Sequence, residues 1–288
     1  MPANGPTAGP GDIAVDVLWT LDLGNSALKV ALWPAAPNAG DSHGLRGDPR
    51  GPLARARFEE PEHCEALLAA WIEAEVTQRG LRLVGGALSG VAGPEVTRQV
   101  AAWARAASGA DLLAPPPHSI VNTCTNPHTV GLDRLFAARA AAERVGGSAV
   151  VIDVGTAMTV DAVEWSGPGT GPARFLGGAI APGPRLLARA LGAAAQLPVV
   201  EPSTRAPALG KETVDALRAG IVHGLRGAAD ELARRVGQEA GLAGVPRVLT
   251  GGALAYLLEP TPFWSGTLIV EPDLVHRGLL AALEDTRV

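Results

Sequence analysis

The chain has 288 residues, 47% of them hydrophobic and 18% charged, the make-up of a folded protein and not of a disordered one. Its length accommodates two halves of about 140 residues, each large enough for its own core. A formal net charge of −5 argues against a nucleic-acid-binding face, and no apolar run approaches the ~20 residues that span a membrane.

Residues 1–16, rich in Gly, Pro and Ala, read as a loose leader without the basic and apolar stretches of a secretory signal. Short apolar runs predict strands over 17–23 and 27–33, followed by a Gly/Pro/Asp-rich hairpin loop over 34–52. A third strand is expected over 53–58. A helix is expected over 61–79, with Pro61 at its start and Leu67, Leu68, Trp71 and Ile72 on one face. Then come a strand over 81–90 ending at Ser89-Gly90, a helix over 94–107, a short strand at 119–121 and an Ala-rich helix over 132–145. The second half repeats the order. Strands are expected over 148–154, 157–165 and near 174–180, helices after Gly183 and from 211 to about 241, a strand over 247–250 and a last helix from Asp273. Cys64 and Cys124 make neither a disulfide framework nor a metal cluster, and the six histidines are scattered without zinc-ligand spacing. A reducing, cytoplasmic setting is the expectation.

Strands first and helices after, twice, predict an α/β fold of two similar domains, divided as 17–131 and 132–288. A repeated phrase supports the duplication. Leu21-Asp22-Leu23-Gly24-Asn25-Ser26 returns 131 positions later as Ile152-Asp153-Val154-Gly155-Thr156-Ala157, each time between two apolar runs. A strand–turn–strand of this kind lets backbone N–H groups and a hydroxyl approach a phosphate, while the Asp can hold a hydrated cation. Two such turns suggest two halves gripping a nucleotide between them.

The ordered motifs resemble those of type III pantothenate kinases, in the actin-like ATPase and sugar kinase superfamily. They are Asp22-Leu23-Gly24-Asn25-Ser26, Asn126-Pro127 leading to Gly131-Leu132-Asp133-Arg134, Asp153-Val154-Gly155-Thr156-Ala157-Met158-Thr159 and Gly177–Gly183. Leu197-Pro198, Gly210-Lys211-Glu212-Thr213, Thr250-Gly251-Gly252 and Pro272-Asp273-Leu274 follow in the family's order. The resemblance implies two actin-like, ribonuclease H-like domains, each a mixed sheet flanked by helices. It implies transfer of phosphate from ATP to pantothenate, the first step toward coenzyme A, with Mg2+ and K+ or NH4+ as cofactors. A homodimer is also implied; the acidic charge and the lack of a long apolar run already predict neither nucleic acid nor membrane as a partner.

It further assigns roles. Asp22, Leu23, Gly24, Asn25, Ser26, Ala27, Leu28 and Lys29 form the first phosphate loop, with Asp22 near the magnesium. On its strand Lys29 faces with Ala27 and Ala31, so a phosphate contact and a solvated surface lysine both remain open. Asp153 is the expected potassium ligand and Thr156 a second phosphate contact. Asp133 is the expected general base: an aspartate can accept a hydroxyl proton late in a loose phosphoryl-transfer transition state. Read alone, Asp133 would be a favourable charge at a helix start. Cys124, Gly131, Leu132, Arg134 and Thr213 complete the expected acceptor pocket, Arg134 through a planar fork that matches a carboxylate. An exposed helical Arg134 and a helix-start Thr213 are the plain alternatives. Gly177–Gly183 suits a tight loop against a ligand or a simple strand–helix connector.

Two positions depart from the family pattern: Cys124 stands where members usually carry Tyr, and Ala253 where Asp usually follows the paired glycines. They bear on the acceptor more than on ATP. A non-catalytic regulatory relative, or a kinase of the same fold with a different acceptor, are the competing readings.

Overall fold

The computed structural model describes residues 15–35, 51–195, 197–259, 264 and 266–287. The expected leader, apart from its last two residues, and most of the expected 34–52 loop lie outside the described residues. The first strand begins at Val15, inside the span read as leader.

The chain runs β1 (Val15–Leu23), β2 (Ala27–Pro34), β3 (Ala54–Glu59), α1 (Glu65–Ile72), β4 (Leu81–Gly90), α2 (Pro94–Ser108), β5 (Leu112–Leu113), β6 (Val121–Asn122) and α3 (Leu132–Val145). It continues through β7 (Ala149–Val154), β8 (Ala157–Glu164), β9 (Arg174–Pro182), α4 (Pro184–Ala195), α5 (Thr213–Glu239), β10 (Arg247–Thr250), α6 (Ala255–Leu258), β11 (Leu268–Val270) and α7 (Leu274–Asp285). Short strands β5 and β11 and the single turn α6 add to the expected elements. The helix expected over 61–79 is broken. A 3-10 turn (Pro61–His63), α1 and a wider-wound turn (Glu73–Thr77) replace it, and Gln78 N–H reaches back to Glu73 O at 2.9 Å. Leu68 and Ile72 are buried as expected, whereas Leu67 faces outward.

One sheet has the order β3-β2-β1-β4-β5 and the other β11-β10-β7-β8-β9-β6. Apart from β6 these are one topology used twice: β9-β8-β7-β10-β11 matches β3-β2-β1-β4-β5. In each, the first two pairings are antiparallel and the last two parallel. This is the expected pair of similar α/β halves. The sheets do not part at residue 131, because β6 lies before it yet pairs with β9 in the second sheet.

α3 and α7 fill the space between the sheets. Leu135, Phe136, Leu279 and Leu283 meet Leu18 and Trp33 from one sheet and Val151 and Phe175 from the other. Leu135 to Ala142 are buried without a break, five of them alanine, so α3 lies close to both neighbours. The outer face of the first sheet packs Trp19, Leu21 and Leu88 against Leu68 of α1 and Val100 of α2. The outer face of the second packs Ile152 and Val160 against Leu225, Ala229 and Ala233 of α5. Truncating any of these large buried side chains to Ala costs about 2–5 kcal/mol. Three cores with α3 wedged between two sheets bring the strand ends that carry both Asp-Gly turns to one cleft.

Candidate active site

Each turn is held by its own backbone. Gly24 N–H donates to Ala27 O at 3.0 Å, and Gly155 N–H to Ala157 O at 2.8 Å. The hydroxyls at the two tips meet: Ser26 Oγ lies 3.1 Å from Thr156 Oγ1. Residues 130 positions apart in sequence thus face each other across the cleft. The stretch 177–183 is the end of β9 and its connector to α4, and the Gly183 N–H donates to Thr156 O at 3.0 Å.

Lys29, whose role the sequence left open, lies beside Asp22. It pairs in register with Asp22 across β1 and β2, and its ammonium donates to Asp22 Oδ2 at 2.8 Å. Asp22 holds that ammonium above its usual range. Burial pushes the Asp22 carboxyl up, but Lys29 and the more distant His276 and Arg57 outweigh it and leave it below the ordinary carboxylate value. Behind this pair the Trp33 indole N–H donates to Thr20 Oγ1 at 2.9 Å, and Thr20 lies 2.9 Å from His276 Nδ1. Burial takes His276 down to about 4, so at neutral pH it is an uncharged wall of the site.

Asp153 is the opposite case. Its register partner on β8 is Thr159, and among the described residues no donor lies within hydrogen-bond distance of its carboxylate. Burial, against Lys29 and together with Asp22, Asp133 and Asp161, pushes it up to about 6. The loop after β10 closes over it. Thr250 is in register with Asp153, and Gly251 has φ 104°, where a Cβ would collide with Asp153 Oδ1 and the Val154 backbone. That position requires glycine.

Asp133 stands in the first turn of α3, beneath Gly131. A side chain at Gly131 would overlap Asp133 Oδ1, so glycine there leaves the carboxylate its place. Oδ1 accepts the Arg134 backbone N–H at 2.9 Å. Burial first, and then the charge of Asp22, raise Asp133 above the usual carboxylate range. Arg134 is neither exposed nor loose. Its Nε lies 3.1 Å from Asp161 Oδ2, its Nη2 2.5 Å from Asp161 Oδ1, and its guanidinium sits 5.3 Å from the Phe175 ring centre. Asp161, 2% exposed, went unread in the sequence; a lone acid among Val160, Ala162 and Val163 was the available signal. Half-buried Cys124 lies near enough to Arg134 for the two to interact electrostatically, and its Sγ would be 3.5 Å from a Cβ at Gly177. Leu132 packs toward the core between the sheets. Thr213 opens α5 and is exposed, and no described contact ties it to Asp133 or Arg134.

Among the described residues no three His, Cys, Asp or Glu side chains converge as a ready-made metal cage. The donors nevertheless suit a cation shared with a ligand. Asp22 is ionised and recessed, and Asp153 is a carboxylate among carboxylates with no hydrogen-bond partner.

The model of the type III pantothenate kinase family matches residues 18–235. A type III pantothenate kinase of Nocardia farcinica is 32% identical over 287 residues, covering 93% of this chain and 97% of that one. One of Agathobacter rectalis is 37% identical over 155 residues, 54% of this chain and 56% of its own length, so that match spans little more than half of the relative. A Campylobacter jejuni structure described as a Baf family transcriptional activator has a TM-score of 0.52 at 16% identity, over 93% of this chain and 98% of that one. That likeness speaks to the fold. The chain belongs to the type III pantothenate kinase family.

Proposed function

We propose that this member of the type III pantothenate kinase family transfers the γ-phosphoryl group of ATP to the 4'-hydroxyl of pantothenate. The observation that carries the reading is the meeting of Ser26 and Thr156 at 3.1 Å, with Asp133 and Arg134 at the start of the helix between the sheets. Phosphoryl transfer needs positioned phosphates, offset charge and a base at the acceptor more than covalent help. The turn N–H groups of Asn25 and Ser26, which the backbone leaves open while Gly24 N–H closes the turn, and the hydroxyls of Ser26 and Thr156 bind phosphate oxygens, and Lys29 adds a positive charge. Asp133 accepts the acceptor's proton, its raised value making it a better base than a solvated aspartate. Arg134, steadied by Asp161, turns its remaining N–H groups to the pantothenate carboxylate, and Cys124 borders the same pocket.

Asp22 and Asp153 would hold magnesium and potassium respectively, and the bound cations offset phosphate charge. Exposed apolar side chains on β9, α4 and the segment after it, Ile180, Leu186, Leu191 and Val199, support self-association as a homodimer. No helix among the described residues is long and apolar enough to cross a membrane. A cytoplasmic location fits a kinase that draws on ATP and keeps Cys64 and Cys124 as free thiols.

A coupled assay of ADP release is the test. ADP should appear only when pantothenate is present. Release that requires another hydroxyl compound would shift the acceptor, and no release under any condition would favour a non-catalytic relative.

A further inference from the structure

Along β3 the side chains alternate. Ala54, Ala56 and Phe58 pack into the outer core of the first sheet, and Arg55, Arg57 and Glu59 stand on the opposite face, which also carries Trp33 and Lys29. Arg55 is committed, with two donors to Asp273 at 2.8 and 2.6 Å. Arg57, in register with Lys29, is held differently. Its Nε and Nη2 reach Glu59, on its own strand, at 2.8 and 3.4 Å, and both side chains are roughly half exposed. An exposed pair of this kind is weak and exchangeable. The third nitrogen points across the cleft: a Cβ at Gly252 would lie 3.8 Å from Arg57 Nη1. Gly252 belongs to the loop that closes over Asp153. The charge of Arg57 is felt by both Asp22 and Lys29.

We propose that Arg57 is a ligand of the nucleotide's β- and γ-phosphates, supplied from β3 opposite the Gly251–Gly252 loop and held by Glu59 until a polyphosphate displaces that carboxylate. The inference rests on the reading that the cleft binds a nucleoside triphosphate. A planar guanidinium matches phosphate oxygens with paired donors, and a polyphosphate carries more charge than one solvated carboxylate. Glu59 thereby sets a threshold that distinguishes a triphosphate from a ligand with less charge.

The test is calorimetric titration of the full chain with ATP and with AMP, both with Mg2+ present. Arg57→Gln should raise the Kd for ATP about tenfold, the usual scale for a charge-assisted contact, and leave AMP unchanged. Arg57→Lys should recover part of the loss. Glu59→Gln, which leaves the guanidinium in place, should tighten ATP by about two- to threefold. ATP binding unaltered in both Arg57→Gln and Glu59→Gln overturns the proposal. So does equal weakening of ATP and AMP, which would mark Arg57 as a structural residue. A parent that binds ATP but does not phosphorylate pantothenate sinks the acceptor reading and leaves this one standing, whereas a parent that binds no ATP sinks both.

Discussion

Asp22 and Asp153 occupy the same place in two copies of one turn, yet their surroundings are opposite. Asp22 faces Lys29 in register and is drawn below the ordinary carboxylate value; Asp153 faces Thr159 and is raised to about 6. The backbone duplicated and the charges did not. One half carries its own cation as an ammonium. The other leaves a carboxylate beside Asp133 and Asp161 with its compensation to come from outside. Equivalent folds can therefore carry opposite electrostatics: Lys29, with His276 and Arg57, lowers one carboxyl, and burial among Asp22, Asp133 and Asp161 raises the other.

The largest effect should come from the residue that sits between the two turns. Asp133→Asn should lower kcat by at least about 100-fold while ATP still binds, because a positioned general base contributes about 10²–10⁴-fold. Steady-state kinetics with a separate ATP titration measures both, and near-normal turnover would move the base elsewhere. The first half also tunes this residue, since Asp22 raises Asp133. Activity should fail as pH drops below a value above the usual aspartate range, and Asp22→Asn should shift that acid limb downward in whatever activity remains.

Next in size is Lys29→Gln, which makes the first half electrostatically like the second. It removes the 2.8 Å pair and leaves Asp22 recessed without its ammonium. A loss of about tenfold in kcat/KM for ATP is expected, on the scale of one charged hydrogen bond. A variant with unchanged kinetics would return Lys29 to the status of a surface lysine.

Asp153 tests the other side. A carboxyl whose folded value of about 6 exceeds the ordinary aspartate value of 3.8 keeps a proton in the fold that the unfolded chain has lost. Stability therefore falls as pH rises from about 4 to about 6, and the cost is complete above that window. In potassium-free buffer near pH 8, Asp153→Asn should raise Tm by roughly 4–8 °C, and the difference should vanish near pH 4. Potassium should stabilise the parent and accelerate it relative to sodium, and do neither to the variant. Melting curves in the two salts decide this; identical behaviour of the parent in potassium and sodium would remove the cation from Asp153.

What the sequence made legible follows from the range of the interactions. Both Asp-Gly turns are local, so an apolar run, an Asp and a glycine announced them. Gly131 to Arg134 stood out only through resemblance, since alone they read as a helix start. Asp161 escaped because its role is a contact between β8 and α3, 27 positions from Arg134. The Thr20–His276 contact spans 256 positions and was equally invisible. β6 is two residues long, too short for any periodicity, and its place in the second sheet is decided by pairing with β9. The broken helix over 61–79 shows the same limit, because an apolar face does not dictate how tightly a helix winds.

The smallest predicted effect concerns the acceptor side, where neither turn is involved. Cys124, where the family resemblance leads one to expect Tyr, lies near Arg134, and Gly177 beside it carries no side chain. A ring there would cover a few tens of Å² of the acceptor's apolar surface, and at about 25 cal/mol per Å² that contributes about 1 kcal/mol. Cys124→Tyr should accordingly lower the KM for pantothenate several-fold. Constants for ATP and the response to potassium should stay as in the parent, because both belong to the two turns. Steady-state constants for both substrates, in potassium and in sodium, measure this in one experiment. A change in the ATP constants would mean that the acceptor pocket and the duplicated turns are not separable. Loss of activity with tyrosine would mean that another group already fills the space, and a different acceptor would then fit the pocket better than pantothenate.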